Sequence, residues 1–207
     1  MFFDFKSFAF LAFMPLPVPT AARTLRHTRT IVAQGYARDD GLWDLDLVLT
    51  DAKTRSVEMA TFVLAPHQPI HELWLRVTLD AQLNIIDACA SSDAVPYPGA
   101  CDTIPPAYQV LKGLNLFKGF RTAVNDRLSG TAGCTHLTEL CNILPTAAIQ
   151  AYAGDVFNTR EGELDATGAR TAPFQLDKCH ALARSGEVVK TYYPVWHTPV
   201  KPPLASH

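Results

Sequence analysis

The most regular stretch of the chain is Glu72-Leu73-Trp74-Leu75-Arg76-Val77-Thr78-Leu79-Asp80. Apolar residues occupy every second position from Leu73 to Leu79. Successive side chains of a β-strand point to opposite faces of a sheet, so this alternation predicts a strand with one apolar face. The sheet that contains it must bury that face against another layer.

The segments on both sides of this stretch predict further strands. Residues 24–36 and 41–50 are rich in Thr, Val, Ile, Leu and Trp, and the turn signal Asp39-Asp40-Gly41 lies between them. Such a signal between two strand patterns predicts a hairpin. A weaker run covers residues 57–64, and residues 84–90 follow the central stretch directly. We therefore predict four or five strands in meander order.

Helical patterns begin after the strands. Pro105-Pro106 is predicted to open a short helix that ends near Leu111, because proline is tolerated in the first turn of a helix. Phe120, Val124 and Leu128 lie on one face of a second predicted helix.

A third helix is expected to start near Thr135, and Pro145 is predicted to end or kink it before residues 147–152 continue. Its apolar stripe comprises Leu137, Leu140, Ile143 and Leu144. Strands followed by helices are typical of an α+β domain, here an antiparallel meander sheet with helices packed on one face.

The length of the chain suits one buried core with appended segments. It has 207 residues, of which 48% are hydrophobic. We expect a single α+β domain over residues 15–158, a polar loop over residues 159–173, and a C-terminal tail over residues 174–207 that packs back on the domain. Residues 1–14 are expected to be a non-native or disordered extension, because Met14-Pro15-Leu16-Pro17 is typical of a natural start of translation.

Composition argues against two classes of partner. Lys and Arg number 18 against 20 Asp and Glu, for a net charge of -2, so the basic surface of a nucleic-acid binder is not expected. The apolar run over residues 8–13 is far shorter than the roughly 20 residues of a membrane span. The five cysteines are an odd number in a chain too long to need disulfides, which predicts reduced thiols and a cytoplasmic location.

A candidate site lies in the segment Gly133-Cys134-Thr135-His136. It puts a thiol and an imidazole two residues apart at the predicted start of the third helix. Unpaired N–H groups and the positive end of the helix dipole stabilise a thiolate there, and the imidazole can accept its proton or share a metal with it.

One interpretation of this segment is a metal site. Cys101, in the proline-rich loop after the last central strand, would join Cys134 and His136 as a ligand. The fourth ligand would be one of His71, His67 and Asp93. Nitrogen and sulfur ligands of this kind suit zinc, with iron or an iron-sulfur cluster as the second choice.

A second interpretation makes Cys134 a nucleophile with His136 or His71 as its base. Glu139 or Asp93 would then orient the imidazole. In a third interpretation the cysteines are small buried apolar residues with no chemical role. That structural role is expected for two further cysteines, Cys89 and Cys141.

Three segments together resemble a known bacterial family. They are Gly-Tyr-Ala-Arg-Asp-Asp-Gly-Leu-Trp-Asp at residues 35–44, the central strand at residues 72–80, and the glycine-rich thiol segment at residues 130–140. The family is catalogued as domain of unknown function 2889. The resemblance extends over about residues 15–197 and implies no particular activity.

Residues 73–153 are also similar to the U-type iron-sulfur cluster assembly scaffolds, which order two strands, a cysteine loop, a helix, a Lys-Gly segment and a cysteine-led helix. Leu111-Lys112-Gly113 takes the Lys-Gly position, and Cys101 and Cys134 take two ligand positions. Two other scaffold ligands are replaced here, by Gln68 and Ile70. The resemblance implies a related fold whose reduced site binds zinc or acts as a thiol.

These observations predict a small metal- or thiol-dependent enzyme that acts on a small molecule through Cys101, Cys134 and His136. The alternative is a scaffold or accessory protein without enzymatic activity, which binds a metal or cluster and passes it to a partner protein. A purely structural cysteine site is the third hypothesis.

Overall fold

The computed structural model of the protein describes residues 16–60 and 62–199. Its strands are β1 (His27–Ala37), β2 (Trp43–Lys53), β3 (Val57–Glu58), β4 (Val63–Leu64), β5 (Pro69–Leu79) and β6 (Ile85–Ala94). Four of them form one antiparallel sheet in the order β1-β2-β5-β6, and β3 pairs with β4 in a separate ladder. The predicted antiparallel meander is confirmed. The expectation for residues 1–14 lies outside the described residues.

Helices follow the sheet in the chain, as the sequence predicts. The α-helices are α1 (Phe120–Leu128), α2 (Thr135–Tyr152) and α3 (Glu187–Tyr192). The short helix predicted after Pro105-Pro106 is a 3₁₀ helix, Pro105–Leu111. Other single turns of 3₁₀ helix are Cys101–Thr103, Gly130–Ala132, His180–Leu182 and Pro194–Trp196. None of the helices in the described part of the chain is both long and apolar enough to cross a membrane.

The core lies between one face of the sheet and the helices. The inward residues of the central strands are fully buried: Leu45, Leu47 and Leu49 on β2, and Leu73, Leu75, Val77 and Leu79 on β5. They pack in one cluster with buried residues of α2, which include Leu137, Leu140 and Leu144. Each such side chain stabilises the fold by about 1.5–3 kcal/mol relative to an exposed one.

Helix α2 runs through Pro145 as a single element. Proline removes one hydrogen bond of the helix and its ring crowds the preceding turn. Leu144, Ala148 and Tyr152 are nevertheless fully buried on both sides of it. The alternative that Pro145 ends the helix is therefore wrong, because packing of this apolar face keeps the helix continuous.

The residues after α2 contact the domain through aromatic rings. Phe157 packs against the core, and its ring centroid lies 5.6 Å from that of Tyr152 and 5.2 Å from that of Phe174. Gln175 donates to the carbonyl of Thr159 and to the hydroxyl of Tyr193. These contacts join the start of the C-terminal segment to the loop before it, and they join Tyr193 to the start of the same segment.

Candidate thiol and imidazole site

Three polar residues form a row across the inner face of the sheet. Strand pairing places Arg29 of β1 opposite Asp51 of β2, and Asp51 opposite His71 of β5. Asp51 follows Leu45, Leu47 and Leu49 on the same face, because alternate residues of a strand share a face. The register between β2 and β5 shifts directly after Asp51. The apolar core therefore ends in a polar layer at this end of the sheet.

Asp51 is the centre of this layer. Its oxygen Oδ1 accepts from His27 Nε2 at 2.8 Å and from Arg29 Nε at 2.9 Å. Its oxygen Oδ2 accepts from Arg29 Nη2 at 2.8 Å and from His71 Nδ1 at 3.1 Å. Burial alone would raise the pKa of Asp51, but the hydrogen bonds from Arg29 and His27 outweigh it and lower the pKa to about 2. The carboxylate is therefore ionised at neutral pH.

The start of α2 brings His136 over this layer. His136 Nε2 lies 3.8 Å from Asp51 Oδ2, and the imidazole rings of His71 and His136 have centroids 3.9 Å apart. Burial lowers the pKa of both histidines, and for His136 the charge of Arg29 and the repulsion that a second protonated imidazole at His71 would add lower it further. Both rings are therefore neutral at neutral pH, so each keeps one nitrogen as an acceptor.

Cys134 lies at the N-cap position of α2, directly before the first helical residue, Thr135. Its Sγ is 4.0 Å from His136 Nδ1 and makes no capping hydrogen bond to the helix. The buried hydroxyl of Tyr108 accepts from the Cys134 N–H at 2.9 Å and donates to the Cys134 carbonyl at 2.8 Å. Tyr108 thereby fixes the backbone that carries the thiol.

The thiol faces a cavity of about 670 Å³. Two cysteines, Cys101 and Cys134, and two histidines, His71 and His136, line it. A cavity of this size holds a small organic molecule. Another cavity of about 550 Å³, between β1 and α2, is lined by neither cysteine nor histidine. The candidate thiols and imidazoles therefore line the first cavity and not the second.

Of the six residues that the sequence proposes for a metal site, the structure brings four together around the cavity: Cys101, Cys134, His136 and His71. The fifth, Asp93, accepts a hydrogen bond from Ser91 on β6 and is not among the residues that line the cavity. His67 does not line it either. Cys141 is fully buried, and burial raises its pKa to about 12, as expected of a structural thiol. The buried structural role expected for Cys89 is wrong, because Cys89 is exposed, as is Cys179.

The carboxylate nearest to the imidazoles is one that the sequence analysis did not propose. Glu139, predicted as an orienting group, instead accepts from Arg29 Nη1 at 2.6 Å. Asp51 takes the position beside His71 and His136. A signal for it exists in the sequence: Asp51 continues the alternation of Leu45, Leu47 and Leu49, so an acidic residue stands on the apolar face of a strand.

Asp51, His71 and His136 also form a group that could hold a metal ion. One potential ligand atom from each lies within 4.8 Å of the other two. Among the described residues, neither Cys101 nor Cys134 belongs to a group of three potential ligands this compact.

The arrangement defines a class: an α+β protein with a thiol, two imidazoles and a buried carboxylate where an antiparallel sheet meets a helix start. The family model described as "Protein of unknown function (DUF2889)" matches residues 27–150, and the chain belongs to this family. All the site residues above lie in the matched range. No curated protein and no solved structure matches the chain. The comparisons therefore do not support the resemblance to iron-sulfur scaffolds.

Proposed function

We propose that the protein is a thiol-dependent enzyme that acts on a small molecule, with Cys134 as its nucleophile. The observation that carries the proposal is the contact between Cys134 Sγ and His136 Nδ1, 4.0 Å apart, beside a cavity large enough for a substrate. A thiol becomes a strong nucleophile when a nearby base takes its proton.

His136 is the base in this proposal, and Asp51 orients it. The Asp51 carboxylate, 3.8 Å from His136 Nε2, favours the tautomer that carries its proton on that nitrogen. Nδ1 is then unprotonated and faces the thiol. Burial and the charge of Arg29 lower the pKa of His136, which keeps the ring neutral and able to accept a proton at neutral pH.

The position of Cys134 before α2 adds support. The first N–H groups of a helix have no partners within it, and they carry the positive end of the helix dipole. No side chain caps the helix at Cys134. These N–H groups can stabilise negative charge that develops next to the thiol during a reaction.

Alkylation of Cys134 tests the proposal. The protein is treated with limiting iodoacetamide at pH 7, and peptide mapping by mass spectrometry gives the rate at each cysteine. We expect Cys134 to react at least about tenfold faster than the exposed Cys89 and Cys179 of the same molecule. His136→Gln should remove this difference.

His71→Gln is the matched variant, because it replaces the other imidazole of the cavity. If it slows alkylation as much as His136→Gln does, His71 shares the role of base. If Cys134 reacts no faster than Cys89, the proposed function is wrong.

A metal-dependent enzyme is the second candidate, and the compact group of Asp51, His71 and His136 favours it. Zinc or iron suits these ligands. However, both oxygens of Asp51 already accept hydrogen bonds, and a bound cation would lie beside the guanidinium of Arg29. For this reason we rank the metal site below the thiol.

Elemental analysis of protein purified without a metal-affinity tag separates the two candidates. Near-stoichiometric zinc or iron in the wild type, lost in His71→Ala, would favour the metal enzyme. Loss of the metal in Cys101→Ser as well would assign Cys101 to the ligands, as the sequence analysis expects. Metal-free protein in which Cys134 reacts fast would exclude the metal enzyme and support the thiol enzyme.

A further inference from the structure

The cavity beside Cys134 has a lining without permanent charge. Among the described residues that line it, none is Asp, Glu, Lys or Arg. Its titratable groups are the two histidines and two cysteines already described and the phenol of Tyr97. A charged substrate would lose water in this cavity and find no opposite charge there, which costs free energy.

Arg29, a cation that contacts Asp51 beside the two histidines of the cavity, already pairs with carboxylates of the protein. Arg29 donates from Nε and Nη2 to Asp51, and from Nη1 to Glu139. Its three nitrogens therefore each have a carboxylate partner. An anionic group on a substrate would have to compete with two carboxylates for this guanidinium.

Five of the other residues that line the cavity have large, mainly apolar side chains. They are Leu73, Val95, Pro96, Tyr97 and Ile104. An apolar ligand that covers this surface gains about 25 cal/mol of binding free energy for each Å² of apolar surface removed from water. The volume of about 670 Å³ accommodates a short aliphatic or a single aromatic group together with a leaving group.

We propose that the substrate is an uncharged ester or thioester whose acyl group is small and apolar, and that Cys134 takes up this acyl group. The inference rests on the proposed function of Cys134 and adds the substrate class. The observations that carry it are the uncharged, apolar lining of the cavity and the thiol and imidazole at its edge.

The reaction balances with water as the only co-reactant. The Cys134 thiol gives its proton to His136 Nδ1, and Sγ forms a bond to the carbonyl carbon. The bond from that carbon to the leaving oxygen or sulfur breaks, and the leaving group takes the proton from His136. Water then attacks the acyl carbon and gives a proton to His136; the C–S bond breaks, the carboxylic acid leaves, and the proton returns to Cys134.

Two esters that share the same leaving group and differ in the charge of the acyl group test the substrate class. The full-length protein is mixed with p-nitrophenyl butanoate or with the p-nitrophenyl monoester of succinic acid, which adds one carboxylate to an acyl chain of similar length. The mass of the acylated protein is followed over a single turnover, and Cys134→Ala protein is the blank for each ester, because the carboxylate of the succinate monoester also displaces p-nitrophenol without the enzyme. We expect butanoyl transfer to Cys134 to be at least about tenfold faster than succinyl transfer.

Tyr97→Arg adds a cation to the lining without disturbing the core, because Tyr97 is 60% exposed. It should raise the rate with the succinyl ester relative to the butanoyl ester at least about fivefold. Phe117→Arg is the matched control: Phe117 is 51% exposed and is not among the residues that line this cavity, so the ratio should not change.

The outcomes distinguish this inference from the proposed function. Fast, His136-dependent alkylation of Cys134 together with equal or faster succinyl transfer would overturn the substrate class and leave the thiol enzyme standing. Fast alkylation with no acylation by either ester would likewise overturn it. If alkylation does not depend on His136, the proposed function fails and this inference fails with it.

Discussion

The hydroxyl oxygen of Tyr108 lies 2.9 Å from the backbone nitrogen of Cys134 and 2.8 Å from its carbonyl oxygen. Tyr108 is fully buried, and burial raises its pKa to about 12, so the hydroxyl keeps its proton and can donate at neutral pH. One side chain from the 3₁₀ helix Pro105–Leu111 thus holds the residue that precedes α2. The direction of the thiol depends on this contact.

Tyr108→Phe should therefore weaken both the fold and the site. It leaves the N–H of Cys134 without its partner, which costs about 1–3 kcal/mol of unfolding free energy. It also frees the backbone at Cys134, so alkylation of this cysteine should lose its dependence on His136. Urea unfolding of Tyr108→Phe measures the loss of stability. The alkylation rates of Cys134 in Tyr108→Phe and in the double variant Tyr108→Phe/His136→Gln measure the loss of dependence on His136.

Tyr152→Phe is the control for this prediction. Tyr152 is also fully buried and donates to a backbone carbonyl, that of Asp80, at 3.0 Å. Its loss should reduce stability to a similar extent and leave the alkylation of Cys134 unchanged. Equal effects of the two variants on alkylation would show that Tyr108 has no positioning role.

The approach of β1 to α2 gives a prediction about the fold. A Cβ atom added at Gly35 would lie 2.6 Å from the Cβ of Ala151, which is closer than atoms in contact allow. Gly35→Ala should lower the free energy of unfolding by about 1–3 kcal/mol, because backbone or helix must shift to relieve the overlap. Urea unfolding of the single variant measures this loss.

A double variant shows whether the overlap is the cause. Ala151→Gly alone should cost about 1 kcal/mol, because glycine is unfavourable in a helix. Added to Ala151→Gly, the Gly35→Ala change should cost much less than it does in the wild type. Additive effects of the two changes would contradict the close contact.

The sheet was predictable because its signal is local. The alternation of Leu73, Leu75, Val77 and Leu79 marks a strand with one buried face, and all four residues are buried. The face of α1 was predictable for the same reason, since Phe120, Val124 and Leu128 are all buried. Whether Pro145 ends α2 could not be decided from the sequence, because the continuity of the helix depends on packing with distant residues.

The site was predictable only in part. Cys134 and His136 are two residues apart in the sequence, so their proximity needs no knowledge of the fold. Arg29, Asp51 and His71 meet because two strand registers align them, and a shift of one residue would turn each to the other face. Asp51 was therefore missed although it stands on the apolar face of β2.

The two carboxylate partners of Arg29 should differ in importance. The pair with Glu139 joins side chains that are 33% and 40% exposed, so Glu139→Gln should cost less than about 1 kcal/mol. Asp51→Asn should cost about 3 kcal/mol or more, because it leaves Arg29 without its principal carboxylate in a partly buried site. Urea unfolding at pH 7 measures the free energy of unfolding of both variants and of the wild type. A larger effect of Glu139→Gln would contradict the central role of Asp51.

Asp51 should also make the fold sensitive to acid. Its pKa in the folded protein is about 2, below its ordinary value of 3.8, because the hydrogen bonds from Arg29 and His27 outweigh the effect of burial. A lowered carboxylate pKa stabilises the fold above the ordinary value, and this contribution is lost as the pH falls from about 3.8 to about 2. The difference corresponds to about 2 kcal/mol.

Urea unfolding at pH 4.5 and pH 2, in a buffer with a metal chelator, measures this contribution. The wild type should lose about 2 kcal/mol more over this interval than Asp51→Asn, which has no carboxyl group to protonate at this position. Asp126→Asn is the control, because Asp126 is exposed on α1 and should leave the acid sensitivity unchanged. Equal losses in the wild type and Asp51→Asn would show that Arg29 and His27 do not stabilise the ionised carboxylate. The orienting role proposed for Asp51 at His136 would then lose its electrostatic basis, since that role requires the negative charge.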